Sequence, residues 1–219
     1  MPVLGTIAEI KRKGRSRRWE VWVDGVVALE ADEEVIAQGG LRTGQPLTEE
    51  KVAELQQADQ GLEASRLVLR LLSHRARSRQ ELLLALRRKR YPQEIMAVTM
   101  ERLERAGLLD DEAFARQMVE VGRARRLGRW AVYHKLRQAG VDEATAERVL
   151  AETASEEEEG ERARLVARKY VERAPQGGER RRLRAKVYDL LQRRGYDSGM
   201  ARQVAEDVVA DDDDGNDDL

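Results

Sequence analysis

Three stretches rich in arginine contain the residues best suited to bind a partner. Residues 75–90, 123–137 and 180–194 hold 20 of the 40 lysines and arginines but only two acids, Glu81 and Asp189. The planar guanidinium group makes paired hydrogen bonds with phosphates and carboxylates, so these stretches predict binding to an anionic partner. The predicted binding residues are Arg75, Arg77, Arg79, Arg87, Arg88, Lys89, Arg123, Arg125, Arg126, Arg129, Lys135, Arg137, Arg180, Arg181, Arg184 and Lys186.

The net charge of the whole chain conceals this cationic character. The formal net charge is −1 because two blocks without lysine or arginine are rich in acids: residues 156–161 contribute five and residues 206–218 contribute eight. The other 28 acids stand beside 40 bases, which leaves the rest of the chain with a charge of +12. A body of this charge favours DNA or an acidic protein surface as its partner.

Residues that could perform catalysis or bind a metal are sparse. Asp110 and Asp111 are adjacent carboxylates, but carboxylates near a helix start usually cap its free amides, and we interpret them as caps. His74 and His134 have no other ligand at the spacing of a metal site, and the chain contains no cysteine. Phosphate-binding loops and nucleophile motifs are absent from the sequence. We therefore predict a protein that is not an enzyme and uses no cofactor or metal.

The N-terminal region, over positions 1–60, is predicted to form a small β-sheet. Residues 3–10, 19–23 and 26–29 are predicted strands, and the middle one shows the two-residue alternation of a half-buried strand. An Asp-Gly pair marks the hairpin between the second and third strands. The pattern predicts a three-stranded meander, then a short helix over residues 32–38, and Thr48 as the cap of the following helix.

From residue 62 onward the sequence predicts helices joined by short turns, because apolar residues recur at intervals of three and four. The predicted helix starts carry Ser78, Pro92, Asp110, Asp142, Ser155 and Asp197, and the predicted helix ends carry Gly107, Gly140 and Gly195.

A long internal repeat appears when three segments of the chain are aligned by their apolar positions. The aligned positions are Leu82, Leu86, Tyr91, Ile95 and Thr99; Val132, Leu136, Val141, Thr145 and Val149; and Val187, Leu191, Tyr196, Met200 and Val204. Each segment follows another apolar helix, so the repeating unit is three helices long. The predicted fold class is mainly α, with tandem three-helix repeats forming an elongated curved solenoid behind a small N-terminal β-meander. The alternative is an ordinary helical bundle with chance periodicity.

The predicted organisation follows from this repeat. It comprises an N-terminal region over 1–60, repeats over 61–109, 110–154 and 155–210, and a disordered acidic tail over 211–219. Each basic cluster surrounds the middle helix of a repeat, so three clusters in register favour one continuous basic stripe. A single cluster of this kind would be ordinary for a helix exposed to solvent.

Two segments of the chain resemble the signature of the RecX family. They are residues 73–82 (Ser-His-Arg-Ala-Arg-Ser-Arg-Gln-Glu-Leu) and residues 103–115 (Leu-Glu-Arg-Ala-Gly-Leu-Leu-Asp-Asp-Glu-Ala-Phe-Ala), and residues 128–140 continue the likeness. The resemblance covers residues 62–150 strongly and extends to residue 209. Two features depart from the family pattern: Arg90 stands where a glycine is common, and residues 175–178 (Pro-Gln-Gly-Gly) lengthen a connection in the third repeat.

This resemblance implies a regulator of the RecA recombinase in DNA repair and the SOS response. It implies binding in the groove of the RecA–DNA filament, with inhibition of strand exchange, ATP hydrolysis and co-protease activity. Single- and double-stranded DNA are expected to bind more weakly, through electrostatics. The alternative is a helical architectural protein that binds DNA on its own. The sequence has neither a signal peptide nor an apolar run long enough to span a membrane, which predicts a cytoplasmic protein without membrane contact, and we expect a monomer.

Overall fold

The computed structural model describes residues 2–174 and 179–214, with side chains described as far as Ala210. Residues 175–178 and 215–219, which include the predicted long connection and most of the predicted tail, lie outside the described residues. The elements are β1 (Val3–Arg12), β2 (Arg18–Val23), β3 (Val26–Asp32), α1 (Glu33–Gln38), β4 (Pro46–Thr48), α2 (Glu49–His74), α3 (Arg79–Arg88), α4 (Gln93–Arg105), α5 (Asp111–Ala124), α6 (Arg129–Gln138), α7 (Glu143–Glu152), α8 (Glu156–Val171), α9 (Arg180–Arg193) and α10 (Ser198–Asp214).

The N-terminal sheet has four antiparallel strands in the order β3-β2-β1-β4, one more than the predicted meander. The additional strand β4 pairs with the first half of β1, where Val3 lies opposite Thr48 and Thr6 lies opposite Pro46. This strand is too short to show an alternating pattern, and a proline at the start of an edge strand is tolerated because it need not donate to the ladder. The short helix predicted over residues 32–38 is confirmed as α1.

Helix α2 is longer than predicted and joins the sheet to the first repeat. The hydroxyl of Thr48 accepts a hydrogen bond from the amide of Lys51 at 3.2 Å, which confirms the predicted cap. From there the helix runs 26 residues to His74, across the predicted boundary between residues 60 and 61. The chain divides into two compact units: the first contains the residues up to Ala76 with Leu82–Leu109, and the second contains Arg77–Glu81 with the residues from Asp110 onward.

A buried network of charged residues attaches the sheet to α2 within the first unit. Asp59 of α2 is buried, and its carboxylate accepts hydrogen bonds from the amide of Asp32 at 2.8 Å and from the guanidinium of Arg18 at 2.7 Å. Arg66 bonds to the carboxylate of Asp32 and thereby lowers the pKa of that group. These pairs fix the position of the sheet on the helix, since buried carboxylates need partners.

The described helices form three tandem three-helix repeats, as the apolar pattern predicted. The last part of α2 with α3 and α4 forms the first repeat, α5–α7 form the second, and α8–α10 form the third. The buried members of the aligned set are Leu82, Leu86, Ile95, Thr99, Val132, Leu136, Val141, Val149, Val187, Leu191, Tyr196 and Val204. Helix α10 continues to Asp214, into the segment that was predicted to be a tail. None of the helices in the described ranges is long and apolar enough to cross a membrane.

The turn between the middle and third helices has the same backbone conformation in all three repeats. Gly140 and Gly195 have φ of 82° and 79°, and Arg90 takes the corresponding position with φ of 61°. A positive φ costs an L side chain roughly 1–2 kcal/mol, so the backbone of Arg90 is strained at this position.

Candidate interaction surface

The second unit contains two junctions between helical segments, each at the start of a basic middle helix. At the first, the buried Ser78 donates its hydroxyl to the carbonyl of Ala139 and accepts a hydrogen bond from the amide of Glu81 at 3.2 Å, which confirms the predicted cap. The adjacent Gly140 lies against the side chain of Gln80 so closely that a Cβ atom would overlap it.

The second junction repeats this arrangement at the start of the next middle helix and is made by backbone alone. The amide of Gly128 donates to the carbonyl of Arg194 at 2.9 Å, and the amide of Trp130 donates to the carbonyl of Gly195 at 3.0 Å. A Cβ atom on Gly128 or Gly195 would overlap the backbone of the opposite segment. Glycine is therefore required here because the two backbones touch.

A carboxylate from the following repeat caps the middle helix at both junctions. Asp111 accepts a hydrogen bond from the amide of Arg79 at 2.8 Å, and Glu159 accepts one from the amide of Arg129 at 2.7 Å. Partial burial raises the pKa of Asp111, and the bond from Arg79 opposes this shift. Asp110 caps its own helix α5 through the amides of Glu112 and Ala113, as predicted, whereas Asp111 caps α3 and not the helix that it begins.

The second junction also brings two of the three basic clusters together. Arg194, at the end of the third cluster, donates to the carbonyl of Arg125 at 3.3 Å. The hydroxyl of Tyr196 donates to the carbonyl of Arg126 at 2.9 Å, and burial raises the pKa of this tyrosine to about 12. The start of the second cluster and the end of the third are thus side by side.

Most basic residues of these two clusters are available to a partner. Their side chains are exposed and make no ion pair with any described residue. This set comprises Arg125, Arg126, Arg129, Lys135, Arg181, Arg184 and Lys186. Arg180 is also exposed.

Two predicted binding residues are held by contacts within the protein. Arg123 bonds to the carbonyl of Thr153 and forms an ion pair with Glu120 at 3.1 Å. Arg137 donates to the carbonyl of Val141 at 2.8 Å. Sequence position alone did not separate Arg123 from its unpaired neighbours, because the carbonyl of Thr153 lies 30 positions away in the chain.

The first predicted cluster is divided between the two units. Arg75 and the group at the end of α3, Arg87, Arg88 and Lys89, belong to the first unit and are exposed. Arg77 and Arg79 belong to the second unit, where Arg79 is exposed and Arg77 is half-buried.

A groove of about 760 Å³ between the second and third repeats was not predicted from the sequence. Trp130 lies in it with 52% of its surface exposed and packs edge to face against Tyr133 at 5.9 Å between ring centroids. The exposed Glu147, Glu156 and Glu157 also line the groove and make no ion pair with a described residue. The available signal was the pair of aromatic residues three positions apart in a basic helix.

A network of four charged residues joins α5 to α7 in the second repeat. Glu112 contacts Arg116 at 2.5 Å and Arg148 at 2.7 Å, and both arginines also pair with Glu152. The hydrogen bonds from Arg148 and Arg116 lower the pKa of Glu112 to about 2. The network adds an electrostatic link to the apolar contacts between these helices.

We expect this network to make the stability of the second unit depend on pH below about 4.5. A depressed carboxylate pKa contributes stability above the unfolded value, and that contribution is lost as the pH falls from about 4.5 to 2. Glu112→Gln should therefore unfold at lower urea concentration than the unchanged protein at pH 7, with the difference vanishing near pH 2. Glu147→Gln, which removes an unpaired carboxylate from the same repeat, is the control. A difference for Glu112→Gln that persists at pH 2 would contradict the prediction.

The histidines are exposed and lie apart from these features, His74 at the end of α2 and His134 in α6. Within residues 2–174 and 179–210, no group of three histidine or carboxylate side chains is placed to hold a metal ion.

Comparisons with known proteins agree on one family. Three family models match in order: the first three-helix domain of RecX over residues 64–103, the second over 110–150 and the third over 156–205. A regulatory protein RecX from Streptomyces coelicolor is 35% identical over 148 residues, which cover 67% of this chain and 78% of that protein. One from Limosilactobacillus reuteri is 28% identical over 207 residues, covering 94% of this chain and 78% of that protein.

Solved structures agree with the sequence comparison. A crystal structure of regulatory protein RecX superposes with a TM-score of 0.69 at 26% identity, covering 93% of this chain and all of that one. The fold of RecX from Lactobacillus salivarius is also similar, with a TM-score of 0.62 over 69% of this chain and 97% of that one, at 20% identity.

Proposed function

Because the chain belongs to the RecX family of regulatory proteins, we propose that it binds the RecA–DNA filament and restrains the recombinase. In this proposal the protein lies in the filament groove and suppresses strand exchange, ATP hydrolysis and co-protease activity during DNA repair and the SOS response. It acts by binding, as a cytoplasmic monomer, and performs no chemical step of its own.

The observation that carries the proposal is the basic surface at the junction of the second and third repeats. On one side of the junction, Arg125 and Arg126 after the end of α5 and Arg129 at the start of α6 lie exposed and make no ion pair with a described residue. Arg194 lies on the other side. Guanidinium groups placed this way suit the phosphates and acidic side chains that a protein-coated DNA strand presents together. The backbone hydrogen bonds of the junction hold these residues in place before binding, which lowers the entropic cost of association.

The groove containing Trp130 is proposed to contact the recombinase itself. Tryptophan is among the residues that contribute most to protein interfaces when it is buried on binding. Arg129 and Arg164 line this groove together with Glu147, Glu156 and Glu157, and the three carboxylates, which make no ion pair with a described residue, favour a basic protein segment. Protein and phosphate contacts on neighbouring surfaces would give the filament an advantage over bare DNA.

A protein lodged in the groove would inhibit the filament in two ways. It would occupy space that a second DNA molecule or a cleavage substrate must enter. It would also favour the filament state that it binds best, since a ligand shifts a conformational equilibrium only by its difference in affinity for the two states. Slower ATP hydrolysis would follow if the favoured state hydrolyses ATP slowly.

The test is to measure binding of the full chain to bare single-stranded DNA and to RecA-coated DNA while ATP hydrolysis is followed. We expect tighter binding to the filament and a fall in hydrolysis while RecA remains on the DNA. Trp130→Ala should weaken filament binding several-fold and leave binding to bare DNA unchanged, because the groove is proposed to contact protein. Leu165→Ala, which removes another exposed apolar side chain of the second unit, is the control.

The second candidate, a helical architectural protein that binds DNA on its own, is favoured by the charge of +12 outside the acidic blocks. It predicts the opposite outcome of the same experiment. Binding to bare DNA would equal or exceed binding to the filament, and ATP hydrolysis would fall only as RecA is displaced. Trp130→Ala would then change neither binding to bare DNA nor binding to the filament.

A further inference from the structure

The hairpin between β1 and β2 carries a dense basic cluster outside the residues that match the RecX domains. Residues 11–18 (Lys-Arg-Lys-Gly-Arg-Ser-Arg-Arg) contain six bases and no acid, whereas the family models begin at residue 64. This hairpin is part of the first unit, and the proposed function makes no use of it.

Two bases of the hairpin, Lys13 and Arg18, are held by carboxylates. Arg18 bonds to Asp59 at 2.7 Å and to Glu63 at 3.1 Å, and Lys13 pairs with Glu30 at 2.5 Å. These contacts lie on the side facing the rest of the unit. They attach the hairpin and use the charge of only part of the cluster.

Three other arginines of the cluster, Arg12, Arg15 and Arg17, are directed to solvent. Arg12 and Arg15 are exposed and make no ion pair with any residue that the structure describes. Arg17 is exposed over 63% of its side chain and approaches a carboxylate, that of Asp32, only at 3.8 Å. Three guanidinium groups thus remain at the surface around a turn that contains only Gly14 and Ser16 besides basic residues.

Hydrogen bonds within the turn order its backbone and the side chain of Arg12. The amide of Lys13 donates to the carbonyl of Arg18 at 2.8 Å, and the hydroxyl of Ser16 donates to the carbonyl of Lys13 at 2.7 Å. The Nε atom of Arg12 donates to the carbonyl of Ser16 at 2.7 Å, which leaves its two terminal nitrogens for a partner. A turn already ordered in this way loses little entropy on binding.

The chemistry of the tip favours a polyanion over an acidic protein surface. Interfaces between proteins obtain most of their affinity from buried aromatic and aliphatic residues, and this tip has none. Exposed ion pairs alone contribute roughly 0–1 kcal/mol each. Binding to a nucleic acid differs because each neutralised phosphate releases condensed counterions, so a few arginines suffice for measurable affinity.

The two tryptophans of β2 indicate that contacts are to phosphates rather than to bases. Trp19, which lies opposite Arg12, packs against the core of the sheet. Lys11 places its amino group 4.1 Å from the centre of the Trp22 ring, and the indole nitrogen donates to Glu20 at 3.2 Å. A base would have to displace Lys11 before it could stack on the ring. Recognition at the hairpin is therefore independent of base sequence.

We propose that the β1–β2 hairpin is a separate binding site for the nucleic-acid backbone, in which Arg12, Arg15 and Arg17 contact phosphates. The site acts without the recombinase. It gives the N-terminal sheet a function of its own, namely to engage DNA phosphates through a β-ribbon, in addition to the basic surface of the helical repeats.

The experiment measures binding of the full chain to a fluorescent single-stranded oligonucleotide by anisotropy, over a range of salt concentrations and without recombinase. Arg12→Gln with Arg15→Gln should weaken binding about threefold to tenfold at low salt. It should also reduce the slope of log affinity against log salt by about 1.4, since each phosphate contact on a single strand contributes about 0.7. Arg12→Lys with Arg15→Lys keeps both charges and should retain most of the slope.

The matched control is Arg42→Gln with Arg102→Gln, which removes two exposed arginines of the same unit that make no ion pair with a described residue. Arg42 precedes β4, which pairs with the opposite end of β1 from the hairpin. Binding and salt slope should be unchanged in this variant, and thermal unfolding should be unchanged in all three variants.

Equal losses in the hairpin and control variants would overturn the proposal, as would an unchanged salt slope in the hairpin variant. A hairpin variant that loses affinity for RecA-coated DNA but not for bare DNA would also overturn it and would identify a protein contact instead. Because the measurement on bare DNA contains no recombinase, its outcome is independent of whether the proposed regulation of RecA holds.

Discussion

Arg125→Glu combined with Arg126→Glu is expected to weaken binding to the RecA–DNA filament by about tenfold or more. Both side chains are exposed and unpaired within the described residues, so reversal removes two attractive contacts and introduces two repulsive ones. Each exposed ion pair is worth up to ~1 kcal/mol, so the loss of two is worth up to ~2 kcal/mol, which exceeds the ~1.4 kcal/mol of a tenfold change in affinity. The added repulsion increases the effect.

The fold should tolerate this double substitution. Neither guanidinium group supports the structure, because the contacts at these positions are made by the backbone carbonyls, which accept from Arg194 and Tyr196. Arg126 has φ of 53°, and a glutamate at this position would have the same backbone strain as the arginine. Thermal unfolding of the variant should therefore match that of the unchanged protein, and a change in binding can be assigned to the surface.

Binding is measured by anisotropy on RecA-coated DNA, with Arg42→Glu combined with Arg102→Glu as the control of equal charge change. If phosphates take part, affinity should fall steeply with salt and the variant should show a shallower slope. Equal losses in both double variants would mean that only the total charge matters, which would remove the basis for assigning this surface.

The repeats were predictable from the sequence because their stabilisation is periodic. Leu82, Val132 and Val187 occupy one position of the aligned pattern, and all three are buried in the structure. Apolar residues at helical spacing must pack against another element, so the pattern predicts which face of each helix is buried. The caps were predictable for a similar reason, since residues such as Asp142 act on amides only three positions away.

The N-terminal region was less predictable because its structure depends on distant partners. Helix α2 extends back to Glu49 although Asp59 lies within it as a buried carboxylate, which an amphipathic pattern would place in solvent. The burial is compensated by Arg18, 41 positions earlier in the chain. No local signal in the sequence indicates a pair of this separation.

The residues of the basic surface could be predicted from the sequence, but their positions and contacts in the structure could not. The clusters are evident from composition, whereas the difference between the paired Arg123 and the unpaired Arg125 arises from where Thr153 and Glu120 lie in the fold. The groove around Trp130 was missed for the same reason, because its walls come from helices of two repeats. Surface chemistry needs the tertiary structure before individual residues can be assigned.

Gly195→Ala is expected to lower the free energy of unfolding of the second unit by about 3 kcal/mol, because two effects combine at this position. The backbone has φ of 79°, which costs an alanine roughly 1–2 kcal/mol. The new Cβ would also lie 2.5 Å from the Cβ of Ala131 and closer still to its amide nitrogen, so the two segments must separate. Overpacking against a backbone that cannot rotate away costs typically about 1–3 kcal/mol.

Two further substitutions separate these effects. Gly107→Ala introduces backbone strain alone, because φ is 65° and no atom lies within 4 Å of the added Cβ. It should lower the free energy of unfolding by about 1 kcal/mol. Gly128→Ala has only the overlap, because its φ of −77° suits any residue. Gly195→Ala should therefore be the most destabilising of the three in urea unfolding followed by circular dichroism.

The junction also positions Arg194 beside Arg125, so Gly195→Ala should affect binding as well as stability. If Gly195→Ala separates the two backbones, Arg194 moves away from Arg125 and the joined basic surface opens at its middle. Filament binding should then weaken at temperatures where the variant is still folded, whereas Gly107→Ala, which lies in the other unit, should leave binding unchanged. A Gly195→Ala variant that is no less stable than Gly107→Ala would show that the junction adapts to an added side chain. A variant that is destabilised yet binds the filament normally would show that the junction supports the fold without positioning the arginines.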